Sequence, residues 1–243
     1  MKDLNYLSWT KFYSEFATKL LDYSQDRSLL VEKIKKIYKD IGIQMPKLEK
    51  DNDLKDIDPF TVFGLFNKGI KDENRIKILK VVATEFSVKS DIPQSFEGIP
   101  ILNNQKATFY YFIGEREEHD IDNLWAVFEA ALNYSDNKSE ENKAELIKYY
   151  DKVQNQIGVR WNITMGLYWI RPYTFLNLDS RNREFVIDHK NLPEDFIKTL
   201  NKLKSVPSGE QYIQICEDCN KILKSGDYPY DNFPELSYSG SGR

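Results

Sequence analysis

Residues 157–185 read IGVRWNITMGLYWIRPYTFLNLDSRNREF, and the rest of the chain is arranged around this run. Its first half is apolar and suits a short helix from about Asn162 to Ile170. Pro172 stops that helix, because proline has no N–H to donate and disfavours helix at the residue before it. Asn177-Leu178-Asp179-Ser180-Arg181-Asn182-Arg183 follows, polar and dense in hydrogen-bonding groups. Flat rings on one side and directional donors and acceptors on the other suit the wall of a binding pocket. The candidates in this run are Arg160, Trp161, Tyr168, Trp169, Arg171, Tyr173, Asp179, Arg181 and Arg183. A plainer reading stands beside that one. Trp161, Trp169 and Phe175 are residue types that usually fill cores. Asp179 suits the N-cap of a following helix, bonding backbone N–H groups near Asn182. The arginines suit pairing with carboxylates.

Outward from this run the spacing predicts helices almost everywhere. Trp9, Phe12, Tyr13, Phe16, Leu20 and Leu21 recur at three- and four-residue intervals, with Ser8 expected as N-cap. Leu29, Leu30, Ile34, Ile37, Tyr38 and Ile41 make a second face behind Asp26, with a solvated lysine side. Asp58-Pro59 is a strong helix start, an acid at the cap and proline at the first helical position. A helix from about Glu73 to Phe86 is apolar nearly all round and is expected to be central. One further helix carries Leu124 to Leu132, and another runs from Ala144 to Ile157 with Leu146, Ile147, Tyr150, Val153 and Ile157 inward. Asn191-Leu192-Pro193 introduces another. Ser208 to Gln211 fits a capping box for a last helix, roughly 209 to 224.

Residues 88–112 break the pattern with Pro93, Gly98 and Pro100, and read as a long irregular connection. It holds Asn103, Asn104, Gln105 and Lys106, followed by Phe109, Tyr110, Tyr111 and Phe112. Amides read base edges and rings stack on bases. Asn-Asn is equally turn chemistry, and the rings equally core. Residues 225–243 are rich in Gly, Ser, Pro and Asp and read as a linker or docking strand. The expected fold is therefore mainly α, with about eight to ten helices and little or no β. Residues 1–224 form the domain, with two lobes joined through 88–112 as a possible arrangement.

Composition narrows the function. The 243 residues are 41% hydrophobic and 14% aromatic, too rich in large apolar groups for disorder. No run approaches the roughly 18 apolar residues that span a bilayer. The N-terminus lacks the basic-then-apolar order of a signal peptide. Two cysteines make no disulfide framework, so a reducing cytoplasm is expected. A formal charge of −4 weighs against a broad nucleic-acid face, although a small basic site on an acidic body is compatible with it. Cys216 and Cys219 make a CxxC, but it is half a zinc site and falls on the inward spacing of its helix, so core packing is favoured over metal. His119 and His189 are the only histidines, and neither lies near a convincing nucleophile. No G-x-x-x-x-G-K-[ST] is present. Asp179 is the one carboxylate placed for catalysis, and no catalytic assignment is made.

Four segments carry a resemblance: DIDPFTVFGLFNKGI at 56–70, GIPILNNQKATFYYF at 98–112, DIDNLWAVFEAAL at 120–132 and WNITMGLYWIRPYTFLNLDSRNREF at 161–185. Together they resemble the region preceding the motor in McrB-like AAA+ ATPases of modification-dependent type IV restriction systems. The likeness covers about residues 5 to 224. It implies a target-recognition domain binding modified duplex DNA, with Gln105 and Lys106 contributing beside the candidates of 160–183. It also implies that a following motor forms a ring, hydrolyses GTP or ATP with Mg, and recruits a nuclease subunit. This chain stops before any Walker motif, so neither activity nor nucleotide cofactor is expected in it, and the isolated domain is expected to be monomeric. The alternative is a protein-interaction module that senses a phage component. A nucleobase-acting enzyme using Asp179 ranks third.

Overall fold

The computed structural model describes residues 4–51, 53–105, 107–188 and 190–241. After a 3₁₀ turn at Leu4–Leu7, eleven α-helices follow among the described residues. They are α1 (Ser8–Leu21), α2 (Arg27–Ile41), α3 (Pro59–Gly64), α4 (Asp72–Glu85), α5 (Asp120–Asp136), α6 (Glu140–Val153), α7 (Asn162–Ile170), α8 (Ser180–Ile187), α9 (Glu194–Asn201), α10 (Gly209–Leu223) and α11 (Phe233–Ser241). No strand occurs among the described residues; a lone bridge joins Lys68 to Leu102. The mainly α expectation holds, and residues 88–112 are the irregular connection it called for. No helix among the described residues is long and apolar enough to cross a membrane.

α7 is the hub. Every residue from Ile163 to Ile170 is buried, and the helix packs against α1, α3 and α5. A helix enclosed all round needs apolar side chains on every face, which this sequence supplies. Gly166 lets α3 approach: a Cβ there would sit 2.6 Å from the Phe60 ring. Trp169 stacks over Phe63 with ring centroids 6.5 Å apart, and Trp9 of α1 meets Tyr168 at 5.4 Å. Burying each such side chain contributes roughly 1.5–3 kcal/mol.

Most helix starts follow the sequence. Asp26 accepts from the Leu29 N–H at 3.2 Å. Asp179 accepts from the Asn182 N–H at 2.8 Å. Ser208 and Gln211 form the capping box. Asp58 accepts from the N–H groups of Phe60 and Thr61 at 2.8 and 3.0 Å. It is wholly enclosed, and that burial pushes its carboxyl up to about 6, an effect its hydrogen bonds only partly offset.

Four expectations are corrected. α6 ends at Val153, and Ile157 beyond it is exposed, not inward. Ser8 is not an N-cap, because the 3₁₀ turn runs directly into α1 and no side chain caps it. α4 is not central. It packs against α2 through Ile78, Leu79 and Val82, with Ile76 and Val81 only half-buried and Lys77 and Lys80 exposed. Residues 225–243 are not merely a linker, since they contain α11, which packs against α8 through buried Phe233 and Leu236. Residues three apart are neighbours on a helix surface, so Phe233 and Leu236 are enclosed together although the segment is otherwise polar.

Candidate functional site

A concavity of about 350 Å³ opens where the 98–103 segment, the start of α7, the Asn177–Arg183 segment and α11 converge. This is the size of a small-molecule site. The polar segment is folded tightly on itself. The Asp179 N–H donates to Asn177 Oδ1 at 3.0 Å. The Asn182 Nδ2 donates to the Asn177 carbonyl at 2.9 Å and to Ser237 Oγ of α11 at 2.7 Å. The Leu178 N–H donates to Thr164 Oγ1 of α7 at 3.2 Å. Asn177 and Asn182 are buried, so these bonds satisfy groups that would otherwise be costly to enclose. The framework presents Arg181 and Arg183 toward the concavity from a rigid base.

Trp161 lies half-buried at the mouth. The Arg183 guanidinium stands 4.0 Å from its ring centroid, a cation–π contact. Arg183 Nε is enclosed without a hydrogen-bond partner. Burial lowers the pKa of this guanidinium, and the charge of Asp179 works in the opposite direction. Trp161 and Asn162 also line a second, more apolar concavity of about 520 Å³, together with Tyr111, Phe112, Ile157 and Arg160. Arg160 is exposed and adopts φ +43°. A non-glycine residue held in the left-handed region costs roughly 1–2 kcal/mol.

The arginines divide into two groups. Arg27, Arg75, Arg116 and Arg171 each pair with a carboxylate. Arg160, Arg181 and Arg183 have no acid within salt-bridge distance among the described residues, and all three line these two concavities.

The structure sorts the remaining candidates. Tyr168 and Trp169 are wholly buried and cannot stack on a ligand. They instead hold one wall: Tyr168 donates to the Gly98 carbonyl at 3.3 Å and Trp169 Nε1 to the Pro100 carbonyl at 3.0 Å. Arg171 lies outside the site, tying α7 to the Ser14 carbonyl at 3.1 Å and to Asp136 at 3.4 Å. Tyr173 is exposed but lines neither concavity; its hydroxyl faces Thr10 Oγ1 at 3.5 Å. Asp179 lines the first concavity as a helix cap. Gln105 lines the second, and Lys106 lies outside the described residues. Asn104 grips the Gly69 backbone at both ends, accepting at 2.8 Å and donating at 3.1 Å, so it serves the turn. Phe109 and Tyr110 are core, whereas Tyr111 remains 39% exposed.

Residues the sequence reading passed over are Asn177, Asn182 and the α11 wall of Ser237 and Gly240. The Asn-x-Asp-x-x-Asn spacing is a usable sign of a folded polar turn; nothing in the tail composition pointed to a wall. Gly98, at φ +77°, lets the 98–103 wall touch α11, since a Cβ there would lie 2.8 Å from the Tyr238 backbone. Cys216 and Cys219 are free and buried in the α10 packing. Among the described residues no group of three His, Cys, Asp or Glu could hold a metal.

No curated protein and no solved structure matches the chain. A family model described as a domain of unknown function, DUF8425, matches residues 9–239, and the chain belongs to that family.

Proposed function

We propose that this chain is a DNA-recognition domain that receives a base, drawn out of the stack, in the concavity beneath Trp161. The observation carrying this reading is the grouping of Arg181 and Arg183, which have no acid within salt-bridge distance among the described residues, in one concavity beside the half-buried indole of Trp161. Guanidinium groups left free of internal acids suit phosphate, to which arginine binds in a bidentate manner. The Arg183 guanidinium lies over the indole, and that planar cation suits a flat ring. A compact pocket reads a flipped base without the broad basic face that a charge of −4 disfavours. The resemblance to McrB-like recognition regions points to modified duplex DNA, with several copies in a ring adding weak contacts through effective concentration. Engagement of Asp179 as a helix cap favours binding without turnover.

The test is a fluorescence-polarisation titration of plain and methylated duplexes, using the single chain and a version fused to a ring-forming scaffold. Binding is expected to be weak for the single chain, stronger for the ring, and selective among modifications. Arg183→Ala should weaken it by about ten- to a hundredfold, the loss expected when one charge-assisted contact is removed. The salt dependence should be shallow, with a log–log slope of about −3 or less per copy, because few phosphates are engaged. Absence of binding to every duplex by the ring-fused form would overturn the proposal.

A further inference from the structure

The second concavity has no role in the reading of the first, yet the two share a wall: Trp161 and Asn162 line both. Arg183 lines only the first and covers the indole from that side. The second is lined by exposed Tyr111 and Ile157, which are 39% and 56% accessible, and by half-buried Phe112. Large apolar groups gathered in a concavity mark a binding surface more often than the same groups scattered singly. Arg160, with no acid partner among the described residues, stands at its edge in a strained backbone conformation that glycine would adopt freely. Glu115 is the acid among its lining residues.

Resting on the reading of the first concavity, we infer that the second is a subsite for the neighbouring nucleotide of the same strand. Its base would lie against Tyr111 and Ile157, and its phosphate would meet Arg160. Continuity decides between this occupant and a protein segment. A strand whose base enters the first concavity passes Trp161, and the next nucleotide arrives where the apolar lining and the free guanidinium adjoin. A protein segment would need an acid placed beside its apolar side chain to meet Arg160, whereas a nucleotide brings base and phosphate together.

The experiment is tryptophan-fluorescence and calorimetric titration of the whole chain with 5′-phosphorylated deoxymononucleotides, plain and methylated, and with the matching dinucleotides. Dinucleotides should bind at least about tenfold tighter, the gain expected of one stacked base. Tyr111→Ala and Ile157→Ser, both surface changes, should erase that gain and leave mononucleotide affinity unaltered. Arg183→Ala should weaken both ligands. Arg160→Gly should weaken only the dinucleotide while raising the unfolding midpoint, a pair of effects that a purely structural role would not produce. Equal affinity for mononucleotide and dinucleotide would overturn the second subsite and leave the first intact. A dinucleotide gain that survives both surface variants would also overturn it, and would assign Tyr111 and Ile157 to a protein surface instead. Failure of every mononucleotide and dinucleotide to bind would overturn the subsite together with the reading it rests on.

Discussion

Asp58 offers a test of how α3 is held beneath the hub helix. Its carboxyl is fully enclosed at the α3 N-terminus, and burial raises its pKa from 3.8 to about 6. Oδ1 accepts both cap bonds, while Oδ2 is enclosed without a partner. The sign follows from linkage. Between pH 3.8 and about 6 the folded state holds a proton that the unfolded state has released, so stability falls as pH rises through that window. A shift of roughly two units corresponds to about 3 kcal/mol. Asp58→Asn keeps a good cap residue, because asparagine and aspartate cap comparably, and removes the ionisation. Any constant cost of the amide is the same at every pH, so the slope is the readout. Urea unfolding of both proteins from about pH 4 to 8 should show the variant gaining on the wild type by up to about 3 kcal/mol, with the gain complete above pH 7. Acidic groups held below their usual range, such as Glu85 and Glu217, contribute equally to both curves and cancel. A difference that stays flat across the range would refute a buried, proton-holding Asp58.

Other expectations follow from the same geometry. Gly98→Ala places a Cβ against the Tyr238 backbone at a positive φ, so it should cost at least about 1–2 kcal/mol and release α11. Hydrogen exchange should then speed up from Phe233 to Ser241, and unchanged protection there would contradict the packing described. Trp169→Ala should lose about 3–5 kcal/mol and free the Pro100 wall, whereas Trp161→Ala should lose under about 2 kcal/mol and abolish ligand binding. Similar denaturation midpoints for the two variants would sink that division of roles. Burial pushes the Cys216 thiol up to about 12 and raises that of Cys219, so an aromatic disulfide reagent at pH 8 should label both only at the rate of unfolding. Rapid labelling of the native chain would place them at the surface instead.

The helical fold was legible because local rules and burial agree. Trp9, Phe12, Tyr13 and Phe16 repeat at helical spacing and are all enclosed. Asp26, Asp58, Asp179 and Ser208 cap where their side chains predict, since a cap is a contact between residues three or fewer apart. The CxxC was readable as packing for the same reason: it continues the inward stripe of α10. α4 shows where that logic stops. Apolar residues nearly all round it implied a central position, but that spread says nothing about how many neighbours a helix finds.

The site was legible only in part. The sequence by itself determined that aromatic and guanidinium groups crowd residues 160–183, and that Asp179 caps the helix that follows it. Only the tertiary structure decided that Tyr168 and Trp169 face inward while Trp161 stands at a mouth, because α1, α3 and α5 enclose α7 from Ile163 onward, whereas Trp161 precedes the helix and is half-buried. It also decided which arginines meet acids far along the chain, such as Arg116 with Glu49, and which meet none among the described residues. Helix periodicity and capping act over a few residues. Enclosure, ion pairing and the α11 wall depend on which distant segments arrive at the same place.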